Sequence, residues 1–188
     1  ILIGLLHSFI SSYVRLKMFN FKNFIFLTFS LLILTSPKII LAETKLLGTE
    51  KYWKAYSTTM NKNKTCFITS EPIKSDGKFN KNNRGKPYVF VTNTKGGANH
   101  EVSIKAGFNF KRNKDVLFVI DGKKTILFPV DDRAWSESSK VDRFLVQSMR
   151  RGKKLIVTGI SSPGNKIIDT YSLSGFTKAL RIIDKSCS

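Results

Sequence analysis

Beyond the first forty residues, chemistry could rest on one histidine, His100, on the acids Asp131, Asp132 and Asp169, and on two cysteines, Cys66 and Cys187. A nucleophilic triad would need His100 as its base, yet the chain has no G-x-S-x-G elbow to present a serine. A lone His beside a Gly-Gly turn is expected to face water. Two carboxylates could hydrolyse an envelope polymer if they faced each other in opposed environments. Asp131 and Asp132 instead stand side by side in "VDDRAW", where neighbouring acids ordinarily point to solvent. No third ligand falls at calcium-loop spacing, and no CxxC, HExxH or Walker-type run occurs. The sequence therefore predicts no catalytic residue, no cofactor and no metal site, and a carboxylate hydrolase stands only as an alternative.

The cysteines are better explained by the front of the chain. Met18 opens "MFNFKNFIFLTFSLLILTSPKIILAET", with Lys22 in a short n-region, an apolar run from Phe24 to Leu34, then Pro37 and the small Ala42. This layout predicts a secretory signal peptide over 18–42, cut between Ala42 and Glu43, although Ile40 is bulky for its position. The apolar run is about half of the ~20 residues a spanning helix needs, so no stable transmembrane anchor is expected after cleavage. Residues 1–17 are read as an extension upstream of the true start. In an exported chain Cys66 and Cys187 meet an oxidising compartment, where an even pair normally bridges. The bridge would close a loop of 121 positions. The alternative is two unpaired buried thiols.

Lys and Arg number 32 against 13 acids, a formal charge of +19; beyond Ala42 the chain keeps 28 of those cations and every acid. Such a charge attracts anions of any kind, but most of the lysines are scattered through turns and solvent faces. The densest cluster is "MRRGKKL", with Arg150, Arg151, Lys153 and Lys154 around Gly152. It offers either an anion-contact surface or a solvated turn that complements the negative end of a helix. Nucleic acid is disfavoured: "RGKPYVFV" has Lys86 and Pro87 where an RNA-recognition core needs an aromatic and a small residue.

Short β patterns joined by turn chemistry must position these residues. They run through "YWKAYST", "TCFITSE", "PYVFVTNT" and "EVSIKAGFNF", with a long polar loop over 72–86. Asp121-Gly122 between two apolar runs predicts a type I′ hairpin, and Pro163-Gly164 suits a type II turn. A helix is expected over Ser138 to Arg151, with Val141, Phe144, Leu145 and Met149 on its core stripe and Gly152 at its end. A second is expected over about Gly175 to Lys185, capped by Ser174, with Phe176, Ala179, Leu180 and Ile183 facing inward. The fold class is mainly β: an antiparallel sandwich or partly closed barrel with two short helices, one of them C-terminal. Residues 43–188 are expected to form a single domain.

The succession "YWKAY", "CFITSEP", "RGKPYVFVTN", "VSIKAGF", "VDDRAW", "LVQSMRRGKKLIVTGISSPG" and "DTYSLSGFTKALRIIDKSC" resembles the invasion-associated locus B family, from about Tyr52 to Cys187. Trp53, Cys66, Gly175, Phe176 and Cys187 match its motifs. The resemblance implies a mainly β, non-enzymatic protein exported by an alphaproteobacterium, with no catalytic residue to carry over. Ser57 departs from it, because many relatives have a cysteine there. The expected function is that of a periplasmic envelope protein, with secretion or outer-membrane association as other destinations. Its partner would be an envelope protein or an anionic envelope component. A secreted, host-directed adhesin or invasion factor is the alternative.

Overall fold

The computed structural model describes residues 43–60, 63–97 and 99–187. The expected signal peptide (18–42), with Ala42 of its expected cleavage site, and residues 1–17, read as an upstream extension, lie outside the described residues. In chain order the elements are β1 (Glu43–Glu50), β2 (Trp53–Met60), β3 (Asn63–Ser70), β4 (Lys74–Gly77), β5 (Tyr88–Thr94), β6 (Glu101–Lys105), β7 (Val116–Ile120), β8 (Lys123–Val130) and β9 (Arg133–Trp135). Helix α1 (Ser139–Arg151), β10 (Lys154–Ile160), β11 (Lys166–Ser172) and helix α2 (Phe176–Cys187) complete it. The mainly β, antiparallel class with two helices, one C-terminal, is what the residues form.

The strands make one open sheet in the order β1-β2-β3-β5-β6-β9-β8-β7-β10-β11-β4. β8 joins its halves. Its residues up to Leu127 pair with β7, while Phe128 to Val130 pair with β9. The sheet doubles back on itself: the indole N–H of Trp53 in β2 donates to the Ser172 carbonyl in β11, eight places away in strand order, at 3.0 Å. Burial alternates with period two along β5, β10 and β11, so one side of each strand enters the core. Trp53, Ile68, Phe118, Leu127 and Leu155 are among the fully buried side chains.

Asp121 and Gly122 both take positive φ, 44° and 89°, as the type I′ turn requires. Gly164 also has positive φ, but the turn closes from its N–H to the Ser161 carbonyl, one residue earlier than a type II turn on Pro163-Gly164 would. Three strands are too exposed or too short for a sequence pattern to reveal. β1 is a polar, mostly exposed edge, β4 is four residues held by β11, and β9 has three residues. The pattern in "EVSIKAGFNF" also ends early: β6 stops at Lys105, and Phe108 turns toward a neighbouring loop.

α1 starts at Ser138, whose hydroxyl accepts the Val141 N–H, and ends where the Gly152 N–H meets the Ser148 carbonyl. Leu145 and Met149 are buried, but Phe144 is 48% exposed, which corrects its expected place on the core stripe. Asp142 occupies the inward face instead, accepting from the Val102 N–H at 2.9 Å and the Ser136 hydroxyl at 2.6 Å. That carboxylate ties the helix to β6. Burial first, and then the charge of Asp142, push the neighbouring Glu101 carboxyl above its ordinary range.

α2 lies across β1, β2, β3 and β5. Its Phe176, Ala179, Leu180 and Ile183 are buried as the spacing predicts; for Phe176, Leu180 and Ile183 that burial is worth about 1.5–3 kcal/mol each. It begins after Gly175, whose φ of 98° suits glycine and whose absent Cβ would sit 2.0 Å from the Glu50 carbonyl. The helix also runs further than expected, taking Cys187 into its last turn.

Candidate functional site

The basic corner forms where three segments meet. Asp121, at the tip of the β7–β8 hairpin, accepts the backbone N–H groups of Lys153 at 3.0 Å and Lys154 at 3.2 Å. This clasp carries the hairpin residue Lys123 to the end of α1, where Lys123 and Arg151 line one surface pocket of about 260 Å³ with Phe144, Gln147, Ile120 and Asp121. Arg151, Lys153, Lys154, Lys123 and Lys124 are all exposed. Arg150 is partly committed elsewhere, its guanidinium lying 3.9 Å from the Asp184 carboxylate. Of the four expected contacts, three are therefore free to meet an anion here. Sequence reasoning missed Lys123 and Lys124. The Asp-Gly turn marked their hairpin, but nothing in the sequence said which segment the turn would clasp.

The second locus is the C-terminal end of α2. Cys66 of β3 and Cys187 are joined in a disulfide with their Cα atoms 5.9 Å apart. Lys64 donates to the Ser186 carbonyl at 2.6 Å, neutralising the negative end of the helix. His100 does not simply face water, as a lone turn histidine was expected to. Its Nε2 is 2.6 Å from Asp184 Oδ1, its backbone N–H donates to Asn93 Oδ1 at 2.8 Å, and Asn93 donates to Asp184 at 3.1 Å. Asn93, His100, Asp184 and Cys187 share the wall of a pocket of about 360 Å³. A His–Asp pair is half of a nucleophilic site, but here His100 and Asn93 tie the β5–β6 turn and β5 to Asp184 of α2. No hydroxyl bonds the imidazole among the described residues. The arrangement works as a latch.

The candidate acids are separated by their surroundings. Asp131 is exposed, with φ of 52° in the β8–β9 turn, and Asp132 lies 3.8 Å from Lys105. Asp169 is buried in β11, where both its oxygens accept from Arg84 and Oδ1 also takes the Ser75 hydroxyl at 2.6 Å. Arg84 in turn donates twice to the Ala106 carbonyl and lies against the rings of Phe79 and Phe108. A carboxylate so occupied is not available as a base. Burial, followed by the charge of Asp169, also pushes the Tyr171 phenol well above its usual value. Among the described residues no group of three or more His, Cys, Asp or Glu could hold a metal ion. Glu43, beside the expected cleavage point, is the first residue of β1.

An open antiparallel sheet, a C-terminal helix bolted to it by a disulfide and latched by His100, and a cationic corner define a disulfide-stapled, mainly β protein. The family model for the invasion associated locus B (IalB) protein matches residues 53–184, and the chain belongs to that family. Neither a curated protein nor a solved structure matches it. Membership points to a secreted or cell-envelope protein. Among the described residues no helix is long and apolar enough to cross a membrane.

Proposed function

We propose that the protein works in the periplasm without catalytic turnover, binding an anionic component of the envelope through its basic corner. The observation that carries this reading is the Asp121 clasp, which holds the Lys153–Lys154 backbone against the hairpin that bears Lys123 and Lys124, while Lys123 and Arg151 line one pocket with Asp121 as its acid. Each exposed cation contributes little alone, about 0–1 kcal/mol per ion pair. A corner of several gains by summing such contacts and by steering anions toward it. The family match and the disulfide support an extracytoplasmic setting. A protein partner is the second reading, favoured by Leu117, Ile126, Phe128 and Val130, exposed on β7 and β8.

The test is capture from envelope fractions by the native protein and by an Arg151→Glu/Lys153→Glu/Lys154→Glu variant. The native protein should retain lipopolysaccharide or anionic lipid at low salt and release it as salt rises, while the reversed variant should retain neither. Capture that ignores both salt and charge reversal would count against the basic corner.

A further inference from the structure

A second cleft lies on the uncovered face of the sheet and shares no residue with the basic corner. Its walls are Tyr52 from the β1–β2 turn, Lys54 and Tyr56 from β2, and Lys86 and Tyr88 from the approach to β5 and its first residue; Glu71, Pro72 and Ile73 close the rim, around a volume of about 470 Å³. That lies within the ~300–1,000 Å³ of small-molecule sites. Three features set it apart from an ordinary surface hollow. Tyr52 and Ile73 stand 53% and 54% exposed, so apolar area is left uncovered at the mouth. Thr69, which also lines the cleft, is only 8% exposed, and its hydroxyl, out of reach of solvent, has no hydrogen-bond partner among the described residues. Burial first, and then the charge of Glu71, push the Tyr88 phenol at its wall above the usual value.

The geometry points to this cleft as a binding site for an acidic sugar, a carboxylated pyranose unit of an envelope glycan. Pyranose rings offer apolar C–H faces suited to tyrosine rings and hydroxyls suited to the Glu71 carboxylate. A sugar carboxylate supplies the charge that Lys54 and Lys86 are placed to meet. An inorganic anion would leave the phenol walls and Ile73 unused. An acyl chain would bury the Glu71 carboxylate without a ligand partner, and a neutral sugar would leave both lysines idle. The inference rests on the envelope reading only for the presence of such glycans; the site itself stands on the residues around it.

Titration of the purified protein with tri-galacturonate, followed calorimetrically beside neutral maltotriose, tests it. Saturable binding is expected for the acid and at least about tenfold weaker binding for the neutral sugar. Tyr52→Ala and Lys86→Ala replace exposed residues, so their melting temperatures should hold while affinity falls by about tenfold each. The proposal is overturned by an absence of saturable binding, by equal affinity for the two sugars, or by full affinity in the Tyr52 and Lys86 variants. It is equally overturned if Arg151→Glu/Lys153→Glu/Lys154→Glu abolishes tri-galacturonate binding, because the ligand would then sit on the basic corner. Envelope capture that survives both salt and charge reversal, with tri-galacturonate binding intact, would reject the basic corner and leave the cleft.

Discussion

Arg84 and Asp169 fix how the β4–β5 loop meets the body of the protein. Their side chains are 5% and 6% exposed, so neither charge is screened by water. Removing one partner of such a pair strands the other and costs about 3–5 kcal/mol, whereas neutralising both costs far less. Arg84→Met should therefore lower the unfolding free energy by about 3–5 kcal/mol in urea denaturation. Arg84→Met/Asp169→Asn should recover part of that loss; strictly additive effects of the two substitutions would mean that the charges do not compensate each other. One half of this pair could be seen in the sequence. Asp169 alternates with Ile167 and Tyr171, so it occupies an inward position of its strand, as Asn93 does after Val89 and Val91. A polar residue on an apolar stripe announces a buried bond but not its partner. Arg84 lies 85 positions away in a loop crowded with lysine and asparagine. His100 carried even less warning, because its partner Asp184 sits on the flank of a helix whose stripe drew attention elsewhere.

At the scale of elements, α2 shows what local pattern can and cannot establish. Its 3.6-residue stripe, and the glycine that admits it beside Glu50, are written in the residues from Gly175 to Ile183, and the expectation of a bridge followed from reading both cysteines as exported. The latch of Asn93, His100 and Lys64 depends on three-dimensional closure and left no such trace. β1, β4 and β9 were likewise hidden, since short polar strands exist only because a neighbour offers them hydrogen bonds. The disulfide closes a loop across 121 positions, which in the chain-entropy view is worth about 4–5 kcal/mol. The apolar stripe and the latch remain when the bond is cut, so the reduced protein should stay folded but less stable by up to that amount. Urea midpoints with and without reductant measure it. Coincident midpoints would show that α2 is held by packing and the latch alone, and that the bridge serves another purpose.

For the whole molecule, charge sets two opposing terms. Cations outnumber acids by 32 to 13, so most charge pairs in the folded chain repel. The favourable surface pairs are few and exposed, such as Lys74–Asp76 with its partners 68% and 46% accessible, and pairs of that kind contribute about 0–1 kcal/mol. Repulsion among many should outweigh attraction between few. Raising the salt from about 10 mM to about 150 mM shortens the screening length from about 30 Å to about 8 Å, which removes long-range repulsion while sparing the buried Arg84–Asp169 pair. The melting temperature should therefore rise over that range, with most of the gain at the low-salt end. The same reasoning ties stability to the proposed role, because a polyanion gathered at the basic corner relieves the repulsion that salt relieves, and stabilises the fold through it. A melting temperature that falls with salt would show that surface ion pairs dominate. The excess charge would then be no reservoir of binding energy for an anionic partner, and the tyrosine cleft, which depends on shape and hydrogen bonds as much as on charge, would be the stronger of the two sites.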